Sequence, residues 1–293
     1  MVEAEGKRDA PAAADTAAPP AAPTDAAPTG ERPVIVQVRN VVVRYGEATI
    51  LDGVSFDIRE GEIFAILGGS GCGKSTLLRQ LIGLERPAAG NVLIDGDDIS
   101  AAEGKEQEKI LRKIGILFQN GALLGSMTVA ENISLRLLEY SDLPPAIIDV
   151  IVRMKLSMVG LEDIEYDMPS ELSGGMKKRA ALARALAMDP RILFCDEPSS
   201  GLDPISAAEL DNLLIQLNRS LGVTIVVVTH DLASIAAIAH RAIMLDKSVK
   251  KIIAEGKPAD LKEHSDNLLV KNFFNRVAES GENLNIRPGK EKR

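Results

Sequence analysis

The stretch Gly68-Gly69-Ser70-Gly71-Cys72-Gly73-Lys74-Ser75 decides how the rest of the chain is read. It fits the pattern GxxxxGK[ST], with an apolar run at 63–67 before it and the start of a helix near Lys74 and Thr76 after it. The glycines let the backbone wrap so that its N–H groups can point at phosphate oxygens, and a helix N-terminus adds partial positive charge. Lys74 supplies a cation for the β- and γ-phosphates, and Ser75 a hydroxyl for Mg²⁺. The bland alternative is a chance glycine turn. A strand on one side and a helix on the other argue against it.

Further along, Ile192-Leu193-Phe194-Cys195-Asp196-Glu197-Pro198 runs apolar residues straight into two acids. With a phosphate loop in the same chain, an acid at this strand end is placed to hold Mg²⁺, and that is Asp196. A second acid beside it can orient or deprotonate an attacking water, and that is Glu197. Between these motifs stands Leu172-Ser173-Gly174-Gly175-Met176-Lys177-Lys178-Arg179. Ser-Gly-Gly at the opening of a helix makes a second anion cradle, with a simple helix cap as the alternative.

Around the motifs, short β-branched runs alternate with helical stretches. Segments 34–43, 54–58, 62–67, 91–94 and 114–118 read as strands, as do 192–195 and 224–229. Segments 128–138, 146–158, 175–188, 204–218 and 232–240 carry helical spacing. The pattern predicts an α/β core interrupted by a mostly helical insertion at about 120–172, with no internal repeat. Residues 1–33, rich in Ala and Pro, read as a disordered extension, and 278–293 as a polar tail. Asp95-Gly96-Asp97-Asp98 lacks the ligand spacing of a calcium loop and reads as a turn. Lys177-Lys178-Arg179 reads as a solvated helix face.

LSGG between the phosphate loop and the DE motif resembles the signature of ABC ATPases. That resemblance covers residues 34–277. It implies an α/β fold: a P-loop NTPase core of ABC ATPase type, with an antiparallel β subdomain and an inserted helical subdomain. It also implies roles for single residues. Gln119 resembles the loop glutamine that senses Mg²⁺ and the attacking water, and His230 the histidine that contacts the γ-phosphate. Tyr45 resembles the aromatic that stacks on adenine, and Ser200-Gly201-Leu202-Asp203 the loop that crosses between subunits. Ser173, Gly174 and Gly175 would bind the partner's ATP in a homodimer. Many members have Gln where Met176 stands. Met176, LFQNGAL at 117–123 and DEPSSGLDPI at 196–205 are similar to the ATPases of Mla-type phospholipid transporters. That group implies permease subunits in the membrane, a periplasmic lipid-binding protein, and a position at the cytoplasmic face of the inner membrane. Leu123, Leu124 and Met127 would then meet a short helix of the permease.

Composition bounds these readings. The 293 residues are 45% hydrophobic but only 3% aromatic, so the core is aliphatic. A net charge of −8 argues against nucleic acid as partner, since binding phosphate chains needs clustered Lys and Arg. Cys72 and Cys195 have no metal-ligand spacing and suggest a cytosolic chain. No apolar run is long enough to span a bilayer, and the acidic start 1–5 has no secretory-signal core. Two further readings keep the same catalytic residues: an ABC ATPase serving another solute, and a soluble ABC ATPase acting on DNA or ribosomes. The latter typically carries coiled-coil insertions or two cassettes, and neither is visible here.

Overall fold

The computed structural model describes residues 32–277, so the expected extension at 1–33 and tail at 278–293 lie almost wholly outside the described residues. Two sheets organise the chain. The first is antiparallel, in the order β2-β1-β4-β5, with β1 Val34–Tyr45, β2 Ala48–Arg59, β4 Ala89–Ile94 and β5 Asp97–Asp98. The second has six strands in the order β10-β9-β3-β8-β7-β6. Its members are β3 Ile63–Gly68, β6 Ile114–Leu117, β7 Ile192–Asp196, β8 Thr224–Val228, β9 Arg241–Asp246 and β10 Lys251–Gly256. β3, β6, β7, β8 and β9 are parallel, and β10 closes one edge antiparallel to β9.

The central strands are buried on both faces, which is why they read as continuous apolar runs. Phe64, Ile66, Phe194, Val226 and Val228 point to one face. There they pack with α1 (Lys74–Leu81) and the inner side of the antiparallel sheet. Ile63, Leu193, Cys195, Ile225 and Val227 point to the other. There they meet α5 (Gly174–Ala185) and α6 (Pro204–Leu221), in one core with α3 (Val129–Tyr140) and α4 (Pro145–Met158). Helices α3 and α4 and a 3-10 turn at Pro169–Glu171 occupy the chain between β6 and α5.

Local chemistry sets the helix starts. Thr128 and Glu131 form a capping box on α3. The Asp203 carboxylate accepts from the N–H groups of Ile205 and Ser206, and Pro204 takes the first position of α6. The short helix α7 (Leu232–Ile238) is capped by Asp231. Four elements escaped the sequence reading on the C-terminal side: β9, β10, α8 (Pro258–His264) and α9 (Leu268–Asn275). So did α2, Gly104–Arg112, which buries only Ile110.

Of the stretch expected as a turn, Asp95-Gly96 is one, but Asp97-Asp98 forms β5, paired with Leu93 and Ile94 of β4. Asp95 and Asp97 are taken up by basic side chains: Lys113 Nζ lies 2.8 Å from Asp95 and 2.9 Å from Asp97, and Arg191 lies 2.5 Å from Asp95. Burial raises the Asp95 pKa, but the hydrogen bonds and charges of Lys113 and Arg191 outweigh it and hold the carboxyl below its usual value. Among the described residues no helix is long and apolar enough to cross a membrane.

Candidate functional site

Because β3, β8, β7 and β6 are adjacent and parallel, the segments that leave their carboxyl ends lie side by side. Open α/β sheets present ligand sites at this edge. It carries the phosphate loop after β3, Thr229 and His230 after β8, Glu197 after β7 and Gln119 after β6.

The phosphate loop is held from behind by steric necessity. Gly68 has φ 144°, and a Cβ there would stand 2.4 Å from the Leu245 carbonyl oxygen and 2.5 Å from Cys72 Sγ. Gly73, at φ 101°, caps α1, and its added Cβ would meet Leu51 at 2.8 Å. Cys72 is buried, while Gly69, Ser70, Gly71 and Ser75 are exposed along the rim and Thr76 is half-buried. Lys74 Nζ donates to the carbonyl oxygens of Gly68 at 2.8 Å and Gly69 at 3.1 Å, which holds the cation over the loop.

Asp196 ends β7 with an oxygen, Oδ1, that is buried and has no hydrogen-bond partner among the described residues. Burial, and then the neighbouring charge of Glu197, push its carboxyl pKa up. A carboxylate oxygen in that condition fits a divalent cation, which would supply the missing partner and reverse the shift. No cluster of three or more His, Cys, Asp or Glu occurs among the described residues. A hard cation bound by one carboxylate, a hydroxyl, water and substrate phosphates needs no such cluster.

Glu197 adopts φ 45°, and its N–H donates to the Val228 carbonyl at 2.8 Å. Its carboxylate accepts from Thr229 Oγ1 at 3.2 Å and lies 2.8 Å from His230 Nδ1. A carboxylate can only accept, so Nδ1 carries the proton in this pair. The Glu197 side chain is 14% exposed and that of His230 is 70% exposed, so the pair runs from the interior to the surface. Gln119 is exposed, and its Nε2 donates to Ser200 Oγ at 3.4 Å.

The second cradle opens α5. Ser173 Oγ accepts from the Met176 N–H at 3.3 Å, and Ser173 and Gly174 are exposed. A cleft of about 240 Å³ beside it is lined by Ser173, Gly175, Met176, Arg179, Leu202 and Glu209. The structure does not bring this cradle onto the same face as the phosphate loop. Helix α1 packs on one face of the six-stranded sheet and α5 on the other. Tyr45 is exposed at the end of β1, with its hydroxyl donating to Glu85. His240 accepts from the Ile63 N–H through Nδ1 at 2.9 Å.

One expectation is overturned. The Lys177-Lys178-Arg179 triplet is not a solvated face, because Lys178 is only 6% exposed. Its Nζ donates to the Gln119 carbonyl and, at 3.4 Å, to the Glu197 carbonyl. Burial pushes its pKa down, against the pull of Cys195, Asp196 and Glu197. Arg179 is engaged too, with Glu209 at 2.8 Å. The signal was available: Lys178 stands three, four and seven positions before the buried Ala181, Leu182 and Ala185. Two other residues escaped the sequence reading. Arg184 donates to the carbonyls of Gly121 and Ala122, at 2.7 and 2.6 Å. Asn132, fully buried, accepts from the Leu124 N–H and donates to the carbonyls of Leu124, Met127 and Thr128. Of the three expected contact residues, Leu124 is 43% exposed, and Leu123 and Met127 are half-buried.

Comparison with known proteins places this geometry. The profile of the ABC transporter family matches residues 51–200. The chain is 41% identical over 242 residues to a probable ribonucleotide transport ATP-binding protein, mkl, of Mycobacterium leprae, covering 83% of this chain and 69% of that one. It is 40% identical over 232 residues to the intermembrane phospholipid transport system ATP-binding protein MlaF of Haemophilus influenzae, covering 79% and 87%. The dimeric ATP-binding cassette MJ0796, solved in a post-hydrolysis state with ADP and Pi, superposes with a TM-score of 0.70 at 34% identity, over 76% of this chain and 99% of that one. The chain belongs to the ABC transporter family, as one of its ATP-hydrolysing cassettes.

Proposed function

We propose that this cassette powers a membrane transporter of phospholipids, hydrolysing ATP at two sites shared between two copies of the chain. The observation that carries the chemistry is the pairing of Asp196, with its unpartnered buried oxygen, and Glu197, braced by Thr229 and His230. In this reading Gly68, Gly69, Ser70, Gly71, Cys72, Gly73 and Thr76 wrap the phosphates, and Lys74 meets their β- and γ-oxygens. Ser75, Asp196 and Gln119 would hold Mg²⁺, which neutralises phosphate charge when bound. Glu197 accepts the proton of the attacking water, His230 contacts the γ-phosphate, and Tyr45 stacks on adenine. Ser173, Gly174 and Gly175 close the partner's site. The packing of α1 and α5 on opposite faces of the sheet supports that division.

Residues 34–277 form the cassette, and its helical segment at 120–172 meets the permease through the surface around Leu124. The chain sits peripherally on the cytoplasmic face of the inner membrane, in a system completed by a periplasmic lipid-binding protein. Likeness to MlaF supports phospholipid as the cargo. The name of the mycobacterial relative offers ribonucleotide instead. Purification of the membrane complex in mild detergent, with mass spectrometry of what it carries, separates the two. Bound phospholipid and a permease are expected; a complex that moves ribonucleotides and carries no lipid sinks the lipid reading. For the chemistry, Glu197→Gln is expected to keep ATP affinity and lose about a hundredfold or more in hydrolysis. A wild-type rate in that variant removes Glu197 as the base.

A further inference from the structure

Lys178 is a buried cation whose hydrogen bonds go to backbone carbonyls. Its ammonium has three donors and no acceptor. The two partners are the carbonyl oxygens of Gln119 and Glu197, residues 78 positions apart that leave neighbouring strands β6 and β7. A buried charge without a carboxylate partner is unfavourable unless its donors are satisfied. Few side chains could replace it here, since the bridge needs a long stem and more than one donor. The Glu197 backbone is held at both ends: its N–H donates to Val228, and its carbonyl accepts from the Ser200 N–H at 3.1 Å and from Lys178 at 3.4 Å. Its φ of 45° is one an L residue adopts only when the surroundings over-determine it. The direction of the carboxylate follows from that backbone.

We propose that Lys178 is a positioning residue for ATP hydrolysis, its ammonium tying the Gln119 loop to the Glu197 loop so that both side chains address one γ-phosphate. The proposal rests on the roles given above to Glu197 and Gln119. Arg184, on the same helix, anchors the carbonyls of Gly121 and Ala122 further along the Gln119 loop but makes no hydrogen bond to Glu197. Lys178 alone on α5 joins the two loops.

The test compares Lys178→Met, Lys178→Arg and, as a charge control, Lys177→Met in the full chain. It measures kcat, KM for ATP, equilibrium binding of a non-hydrolysable ATP analogue, and thermal melting. Lys178→Met is expected to lower kcat about tenfold to a hundredfold, the scale of a small misplacement of reacting groups, with KM and analogue binding little changed. Lys178→Arg, which keeps charge and donors, recovers much of the rate, and Lys177→Met has none of these effects. Should Lys178→Met not fold, Lys178→Gln carries the same expectation of a kcat loss at constant affinity. The proposal is overturned by a wild-type kcat in the neutral variants, or by a rate loss that tracks lost affinity and is not recovered by Arg. Glu197→Gln run alongside separates the two claims. If it is inactive while Lys178→Met is normal, only the Lys178 proposal fails; if it is fully active, the reading of Glu197 fails first.

Discussion

Glu197 carries a backbone conformation, φ 45°, that costs a residue with a Cβ about 1–3 kcal/mol. Glycine adopts it freely. Replacing Glu197 by Gly or by Ala removes the carboxylate in both cases, but only Ala keeps the strain. Urea unfolding is therefore expected to find Glu197→Gly more stable than Glu197→Ala by about 1 kcal/mol, with both variants inactive. Equal stabilities, or a less stable Gly variant, would mean that the backbone relaxes and is not held. At this scale the sequence was readable wherever a polar residue follows an apolar run. Gln119, Asp196, Glu197 and His230 all stand there, and the structure gathers all four on one sheet edge. Thr229 was read as the last residue of its strand, although its hydroxyl is spent on Glu197. Lys178 was hidden by composition, because a basic triplet looks solvated until the helical face of its middle member is traced.

Among the elements, α3 does more than fill the helical insertion. Its Asn132 uses the oxygen and the NH2 of its side-chain amide to hold the turn at 124–128, which joins the Gln119 loop to the helix. Asn132→Leu removes those partners from a buried position and is expected to lower unfolding free energy by about 1–3 kcal/mol. ATP binding by the isolated subunit should survive, whereas ATPase activity in the membrane complex should no longer respond to the proposed phospholipid cargo. Unchanged lipid response in a folded variant would show that the turn does not pass its state to the permease. Most elements with deep burial were legible in the sequence, but β9, buried from Ala242 to Leu245, was not. The strands of 62–67, 192–195 and 224–229 were placed to within a residue or two of β3, β7 and β8. The other elements missed were those whose stabilisation is tertiary. Strand β10 is half-exposed along its length, α8 and α9 are seven and eight residues long, and α2 buries one side chain. Helices this short are marginal without a neighbour to pack on, so their local pattern is weak.

For the whole molecule, the proposed shared sites call for a head-to-tail pair, which the packing of α1 and α5 on opposite faces accommodates. Mixing Lys74→Ala chains with Ser173→Arg chains tests it. In the mixed dimer one site carries both defects and the other carries neither, so hydrolysis should reappear where each homodimer is inactive. Absence of rescue in verified heterodimers counts against two independent shared sites. The strand order has one more consequence, and it concerns the birth of the protein. β3, which delivers the phosphate loop, pairs with β8 and β9, and the Leu245 carbonyl backs onto Gly68. The loop is thus among the earlier segments made, while the strands that support it are made more than 150 residues later. Pairings this distant in sequence form slowly. At about 5–20 residues per second of synthesis, the unfinished chain waits many seconds with its loop unsupported. Until β9 has left the ribosome the Gly68 turn lacks the strand it backs onto, so nucleotide is expected to stabilise a nascent chain only after that point.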